Sequence, residues 1–91
     1  MKTYPNLTFT IQIFKEGKTF VSHNPELNVS SCGKTIEEAR KNLKDAMNGF
    51  IKSAYKIGTL NQLLEEAGYM YKNKKWFEPD LLVLDRLSLA I

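Results

Sequence analysis

Apolar and polar side chains alternate near the start of the chain, which is the pattern of a half-buried β-strand. In residues 7–14, one face is apolar and consists of Leu7, Phe9, Ile11 and Ile13. A polar break around Gly17 follows, and glycine can adopt the positive φ that a tight turn requires. A second strand is predicted at residues 19–23, and it must return antiparallel to the first.

The next segment joins this hairpin to a helix within a short distance. Asn24-Pro25 ends the second strand, because proline removes a backbone donor and restricts the residue before it. A third strand at residues 29–32, closed by Gly33, completes a three-stranded meander. Thr35 and Glu38 then have the spacing of a capping box, in which the threonine hydroxyl accepts from the glutamate amide and the carboxylate accepts from the threonine amide.

A long amphipathic helix is predicted from this cap to about Tyr55, ending before Gly58. Its apolar positions recur every three or four residues and form a single stripe. The stripe contains Ile36, Ala39, Leu43, Ala46, Met47, Phe50, Ile51 and Ala54. Neither the stripe nor the apolar face of the sheet can be hidden alone, so the helix must cover the sheet. We therefore predict an α+β core of the order β-β-β-α in residues 1–57.

Residues 58–91 are predicted to extend this core, either within the same domain or as its dimerisation extension. Thr59 and Gln62 indicate a second capping box, opening a short helix that Gly68 ends. The chain alternates again towards Ile91, which predicts a terminal strand. Such a strand needs a pairing partner, either the edge of the meander or a second copy of the chain.

Between the short helix and the terminal strand lies a second predicted hairpin, with a two-residue turn at Asn73-Lys74. This turn would place Tyr71 opposite Trp76. It would also place Met70 opposite Phe77. Aromatic cross-strand pairs stabilise a hairpin by up to about 1 kcal/mol each.

Composition and charge limit the class of protein. The chain has 91 residues, of which 43% are apolar and 25% are charged, as in folded rather than disordered proteins. Cys32 is the only cysteine, so no intrachain disulfide can form, and we interpret it as a small, partly buried strand residue. Met1-Lys2-Thr3-Tyr4-Pro5 lacks the apolar core of a secretory signal, and no segment reaches the length of a membrane span. We expect a cytoplasmic protein.

The residues that catalysis requires are not grouped along the sequence. A two-metal nuclease needs carboxylates projecting from strand centres or helix starts into one pocket, and no acid lies within the first three predicted strands. His23 is the only histidine and has no serine or cysteine nucleophile placed to complete a catalytic pair. One histidine and one cysteine cannot make a zinc site. The sequence thus predicts a protein that is not an enzyme, with no catalytic residue, metal or cofactor.

Binding surfaces are the remaining candidates. Aromatic residues dominate interface hot spots, although core packing is an equal alternative for them. The predicted partner-binding residues are His23, Pro25, Glu26, Tyr71, Trp76 and Phe77. A second hypothesis is a nucleic-acid-binding regulator, in which lysines contact phosphates while aromatic rings stack on bases. Its residues are Lys72, Lys74 and Lys75, which could equally protect an exposed sheet edge from aggregation.

The order of these motifs resembles the HicB antitoxin family, most densely from Thr8 to Ser53. The matching runs are Phe20-Val21-Ser22, Pro25-Glu26-Leu27, Gly33-Lys34-Thr35, Glu37-Glu38-Ala39 and Asn42-Leu43-Lys44-Asp45-Ala46. A weaker similarity to longer members continues through Gly58-Thr59-Leu60, Ala67-Gly68-Tyr69 and the Trp76 that precedes Pro79.

The resemblance implies a partial ribonuclease-H-like fold that lacks the acidic nuclease site. It also implies a type II toxin–antitoxin function, in which HicB neutralises HicA, a small basic mRNA interferase, by covering its catalytic face and RNA surface. Many family members oligomerise, and we expect a homodimer here because the terminal strand and the hairpin offer open edges. A solitary HicB-like interaction domain without a toxin is the alternative within the family.

The chain departs from the family pattern in two respects. Cys32 precedes Gly33 where relatives often carry a polar residue such as glutamine. The region after Ile57 lacks the second helix of a helix-turn-helix and the element order of a ribbon-helix-helix, so DNA binding is not predicted. Because the net charge is +3, attraction to a basic toxin must be local. The available acids are Glu65, Glu66, Glu78, Asp80 and Asp85.

Overall fold

A computed structural model of the chain describes Tyr4 and residues 6–91. The elements are β1 (Gln12–Glu16), β2 (Thr19–Asn24), β3 (Val29–Gly33), α1 (Ile36–Ile57), α2 (Leu60–Glu66), β4 (Met70–Lys72) and β5 (Lys75–Phe77). The first three strands form one antiparallel sheet in the order β1-β2-β3, and β4 pairs with β5 in a separate hairpin. The predicted α+β arrangement is confirmed. Residues 1–3 and Pro5, on which the expectation of no secretory signal partly rests, lie outside the described residues.

The first strand begins at Gln12, later than predicted, although the alternation starts at Leu7. The reason is that β2 ends at Asn24, so the preceding segment has no strand beside it. The amide of Thr10 instead donates to Glu26 Oε1 (2.7 Å), and its carbonyl accepts from Asn24 Nδ2 (2.8 Å). Side chains thus replace the ladder of the sheet in residues 7–11.

The start and end of α1 follow local sequence signals. Thr35 is the N-cap, and its hydroxyl accepts from the Glu38 amide at 3.0 Å, as predicted. The Glu38 carboxylate accepts from the amide of Lys34 (3.3 Å) rather than from that of the cap residue. Gly58 ends the helix with φ of 80°, so α1 extends to Ile57, slightly beyond the predicted end.

The first turns of α1 lie directly against the backbone of the sheet. Ser22, fully buried on β2, donates its hydroxyl to the carbonyl of Ala39 at 2.7 Å. A Cβ atom on Gly33 would lie 2.5 Å from the Ala39 amide nitrogen and 2.9 Å from Glu38 Cβ. The helix packs mostly over β3 and β2 and least over β1. The absence of a side chain at Gly33 therefore sets how closely helix and sheet approach.

The predicted stripe of α1 is only partly buried. Its buried members are Ala39, Leu43, Met47 and Ala54. In contrast, Ile36 and Phe50 are 51% and 40% exposed. The sheet covers the first half of the helix and the C-terminal elements cover the second half, which leaves apolar side chains uncovered between and beyond these contacts.

A second core joins the end of α1 to the C-terminal elements. It consists of Ala54, Leu60, Leu64, Tyr69 and Trp76. Partly buried side chains pack around it, namely Tyr4, Leu7, Phe9, Ile51, Leu63, Ala67 and Tyr71. The helix α2, the hairpin and the segment before β1 are thus held together by one apolar cluster. Among the described residues, no helix combines the length and the apolar character needed to cross a membrane.

The predicted capping box at Thr59 is wrong, because its side chain makes no cap hydrogen bond to α2. Instead the Thr59 backbone amide (2.9 Å) and hydroxyl (3.4 Å) both donate to the carbonyl of Ala54. Gln62 donates to Glu66 Oε1 at 3.0 Å and does not reach back to the cap. Thr59 therefore completes the end of α1, and its backbone (φ −105°, ψ 1°) is not in the extended conformation from which an N-cap side chain reaches the following amides.

The second hairpin has the predicted register, with Tyr71 opposite Trp76 and Met70 opposite Phe77. Both turn residues at positions 73 and 74 have positive φ (54° and 62°), as a two-residue hairpin turn of type I′ requires. The described residues 78–91 contain neither helix nor strand, so the predicted terminal strand is not formed by the single chain.

Candidate partner-binding surface

The hairpin has an inner face that belongs to the core. Tyr71 and Trp76 lie with their ring centroids 5.1 Å apart, and Trp76 is only 5% exposed. The ring of Tyr4 stacks on the Trp76 indole, with 6.2 Å between ring centroids and nearly parallel planes. Trp76, predicted from the sequence as a partner-binding residue, is therefore a packing residue, and Tyr71 is half-buried beside it.

The outer face of the hairpin is apolar and open. Met70 and Phe77 lie opposite each other and are 68% and 46% exposed. Lys72 and Lys75 form the next pair on this face, and Lys74 is in the turn. Of the predicted aromatic anchors, Phe77 is the one whose ring is most available to a partner.

The loop after β2 is built by two polar side chains. Asn24 is fully buried, and its side chain donates to Glu26 Oε1 (2.8 Å) and accepts from the Leu27 amide (2.8 Å). Because the same Glu26 oxygen accepts from the Thr10 amide, this carboxylate fixes the loop to the segment before β1. Pro25 is exposed at the tip. Glu26 thus has a structural role in addition to any role towards a partner.

His23 lies on β2 next to this loop and is half-buried. Its Nε2 is 2.9 Å from Asn28 Oδ1, and its Nδ1 is 3.5 Å from Gln12 Oε1. Asn28 adopts positive φ (55°), which asparagine tolerates better than most residues and which lets the loop return into β3. Both ring nitrogens therefore face amide oxygens, so His23 supports the loop.

Tyr69, just before the hairpin, contacts the segment that precedes β1. It is 3% exposed, its hydroxyl donates to the Thr8 carbonyl at 2.5 Å, and its ring contacts Phe9 at 5.5 Å between centroids. Burial raises the pKa of Tyr69 well above its ordinary value, and the carboxylates of Glu26 and Glu78 raise it further. The carboxylates of Glu26 and Glu78 therefore both lie near the Tyr69 hydroxyl.

These contacts bring Glu26 and Glu78, which are far apart in sequence, near Tyr69, while Met70 and Phe77 lie on the outer face of the hairpin. We call Pro25, Glu26, Met70, Phe77 and Glu78 together the loop–hairpin surface, as the candidate region for a partner. It has an exposed apolar part and two carboxylates near Tyr69. A surface of this kind is suited to a protein partner with apolar and basic groups.

The buried phenol gives a testable pH dependence. Tyr69→Phe should lower the free energy of unfolding by about 1–2 kcal/mol at pH 7, because the Thr8 carbonyl loses its donor. Since the folded-state pKa of Tyr69 is raised, the stability it contributes is present below the unfolded pKa of about 10 and is lost as pH rises above it. Urea unfolding at pH 8 to 11 should show the wild type losing stability more steeply than Tyr69→Phe. Parallel curves would contradict this role.

The described residues also bear on metal and thiol chemistry. In the part of the chain that the structure describes, no three His, Cys, Asp or Glu side chains are grouped so that they could hold a metal ion. Cys32 lies on β3 as predicted, but it is exposed rather than partly buried. The backbone carbonyl of Cys32 accepts a hydrogen bond from Asn42 Nδ2 at 2.8 Å, which connects β3 to α1.

Comparison of the chain with protein-family models, with curated proteins and with solved structures finds no significant match. The resemblance to HicB antitoxins therefore rests on the order of the motifs quoted above. The structure adds the position of each motif. Gly33 lies beneath α1, Thr35 caps it, and Pro25-Glu26-Leu27 forms the loop that Glu26 ties to the segment before β1.

Proposed function

We propose that the chain is a HicB-like antitoxin that binds a HicA-type mRNA interferase and neutralises it by covering its catalytic face. The observation that carries this proposal is the loop–hairpin surface, which combines exposed apolar side chains with carboxylates on a β-β-β-α scaffold. The motifs of the resemblance build that scaffold. The proposal assigns the chain a binding role in the cytoplasm, without catalysis or a cofactor.

The mechanism is occlusion helped by local charge. Phe77 and Met70 provide the apolar contact area, and their exposed fractions of 46% and 68% leave area for a partner to bury. Glu78 and Glu26 attract basic groups of the toxin, although the whole chain has a net charge of +3. Because exposed charges are screened beyond about 8 Å at physiological salt, attraction depends on these nearby carboxylates and not on net charge.

The proposal expects a small basic protein to be encoded beside this gene, and the binding test is co-expression with it, followed by affinity purification. We expect the two chains to copurify. Phe77→Asp should weaken the complex by roughly thirtyfold, since losing an aromatic hot spot costs about 2 kcal/mol. Phe50→Asp is the matched control, because Phe50 is similarly exposed (40%) but lies on α1. Absence of a complex, or equal weakening by both variants, would refute the proposed surface.

The nucleic-acid alternative has less support. Base stacking needs exposed rings beside the lysines, and Phe77 is the one such ring in the hairpin, because Trp76 is buried and Tyr71 packs against it. Lys72, Lys74 and Lys75 are exposed and could contact phosphates, with a single ring beside them for stacking. This alternative predicts retention on RNA or DNA that falls steeply with salt. We expect the chain not to be retained on immobilised RNA or DNA at physiological salt, and strong salt-sensitive retention would favour the alternative.

A further inference from the structure

Residues 80–91, which we call the C-terminal tail, are apolar and exposed. Seven large apolar side chains lie here, with Leu82 88% and Leu87 84% exposed. The odd-numbered face is almost entirely apolar and consists of Leu81, Val83, Leu87, Leu89 and Ile91, interrupted by Asp85. Monomeric proteins rarely leave such a continuous apolar surface in water. The alternation is that of a strand with one face covered.

The body of the molecule has an open groove on the side of β1. Its volume is about 480 Å³, and it lies between the segment before β1 and α1. The floor is apolar, with Phe9, Ile11 and Met47, and Arg40 and Lys44 line the side formed by α1. The groove exists because α1 packs mainly over β3 and β2. Its lining includes Ile11, which directly precedes β1, and among the described residues no strand pairs with the outer edge of β1.

We propose that the C-terminal tail of a second copy fills this groove and adds as a fourth strand beside β1. Its odd-numbered face would cover the apolar floor, and the β1 edge would supply main-chain hydrogen bonds. Charge favours this occupant, because Asp85 lies on the odd-numbered face of the tail and the groove carries Arg40 and Lys44, whereas Arg86 of the tail lies on the opposite face. The match is local to these two segments.

The partner is a second copy of the chain because each of two copies can place its C-terminal tail in the groove of the other. Gly68 has no side chain, and a Cβ there would lie 3.2 Å from Pro79 Cγ, so the residue just before the tail packs against the turn that follows α2. Beyond it the tail leaves the body of its own chain. An extended tail of this length spans roughly 40 Å, which is ample to reach a neighbour. Two such tails, each in the other's groove, form a closed two-fold dimer. This inference does not depend on the proposed toxin.

The oligomeric state of the full chain tests the proposal. Sedimentation velocity should find a dimer for the wild type. Leu87→Asp combined with Leu89→Asp should raise the dimer dissociation constant roughly hundredfold or more, because two buried leucines are lost. Leu84→Asp is the matched control on the opposite face of the strand and should leave the dimer intact. A monomeric wild type, as expected if each tail docks on its own chain, would overturn the proposal.

A charge exchange tests the register of the tail in the groove. Lys44→Glu should weaken the dimer, and combining it with Asp85→Lys should restore much of the lost affinity, because the pair is re-formed with opposite polarity. Equal disruption by Leu84→Asp and by the Leu87/Leu89 pair would contradict the assigned face. Failure of the charge exchange to restore dimerisation would contradict the assigned groove. Loss of toxin binding with an intact dimer would concern only the proposed function.

Discussion

Gly33→Ala should lower the free energy of unfolding by about 3 kcal/mol, at the upper end of the usual cost of overpacking. The added Cβ would lie 2.5 Å from the Ala39 amide nitrogen and 2.8 Å from the Glu38 carbonyl carbon. Both atoms are backbone, so no side chain can rotate away and α1 must move off the sheet. That movement would also weaken the hydrogen bond from Ser22 to Ala39.

The control for this prediction is the same substitution elsewhere in the chain. Gly49 lies within α1 and has no atom within 4 Å of an added Cβ. Gly49→Ala should therefore raise the stability by about 0.5–1 kcal/mol, because alanine favours the helix over glycine. Urea unfolding followed by circular dichroism would measure both variants. Equal effects of the two substitutions would show that the contact at Gly33 does not hold helix and sheet in place.

Trp76→Ala should destabilise the protein by about 3–5 kcal/mol, as is usual for a buried tryptophan. Its ring contacts Tyr71 and Tyr4 and lies in the cluster that joins α2 and the hairpin to α1. A domain of this size is stable by only about 5–14 kcal/mol, so the variant should be close to its unfolding threshold. Thermal unfolding should show a large decrease in Tm.

The adjacent residue on the same strand provides the comparison. Phe77→Ala removes an aromatic ring that is 46% exposed on the other face of the hairpin. We expect it to change stability by less than about 1 kcal/mol, as for most surface positions. It should nevertheless weaken binding of the partner. If instead Trp76→Ala were stable and selectively lost the partner, the sequence-based prediction of Trp76 as a binding residue would be right and its structural role wrong.

The sequence predicted those features that local signals determine. The turn at residues 73–74 fixes the register of the second hairpin, because only one two-residue loop fits between the flanking strands. Likewise, Thr35 and Gly58 mark the ends of α1 through side-chain and backbone preferences of single residues. The order of the three strands and the position of α1 follow from hydrophobic periodicity, which can be recognised in each segment without knowledge of its neighbours.

Features that depend on distant neighbours were not predicted. Residues 7–11 alternate like a strand, but their backbone groups bind the side chains of Asn24 and Glu26, which periodicity does not show. Thr59 has the spacing of a cap, yet its backbone conformation does not suit one and its amide and hydroxyl donate to the end of α1. An Asn followed by Pro at a strand end was the signal available for the role of Asn24, since such side chains often bind nearby backbone amides.

Among the candidate binding residues, the sequence identified regions better than individual side chains. The alternation across β4 and β5 places Trp76 and Phe77 on opposite faces, but it does not say which face meets the core. That choice depends on Tyr4 and α2, which approach from elsewhere in the chain. Proximity of Glu26 and Glu78 to Tyr69 likewise arises only from the tertiary fold.

The most direct test of the account is inhibition of RNA cleavage by the HicA-type ribonuclease that the proposal expects the neighbouring gene to encode. The purified chain, added in increasing amounts, should abolish cleavage at a fixed stoichiometry, because occlusion requires one binding surface for each toxin. Phe77→Asp should shift the inhibition curve to higher concentrations, and Phe50→Asp should not. Undiminished RNA cleavage at a large excess of the folded chain would contradict the proposal that this protein is an antitoxin.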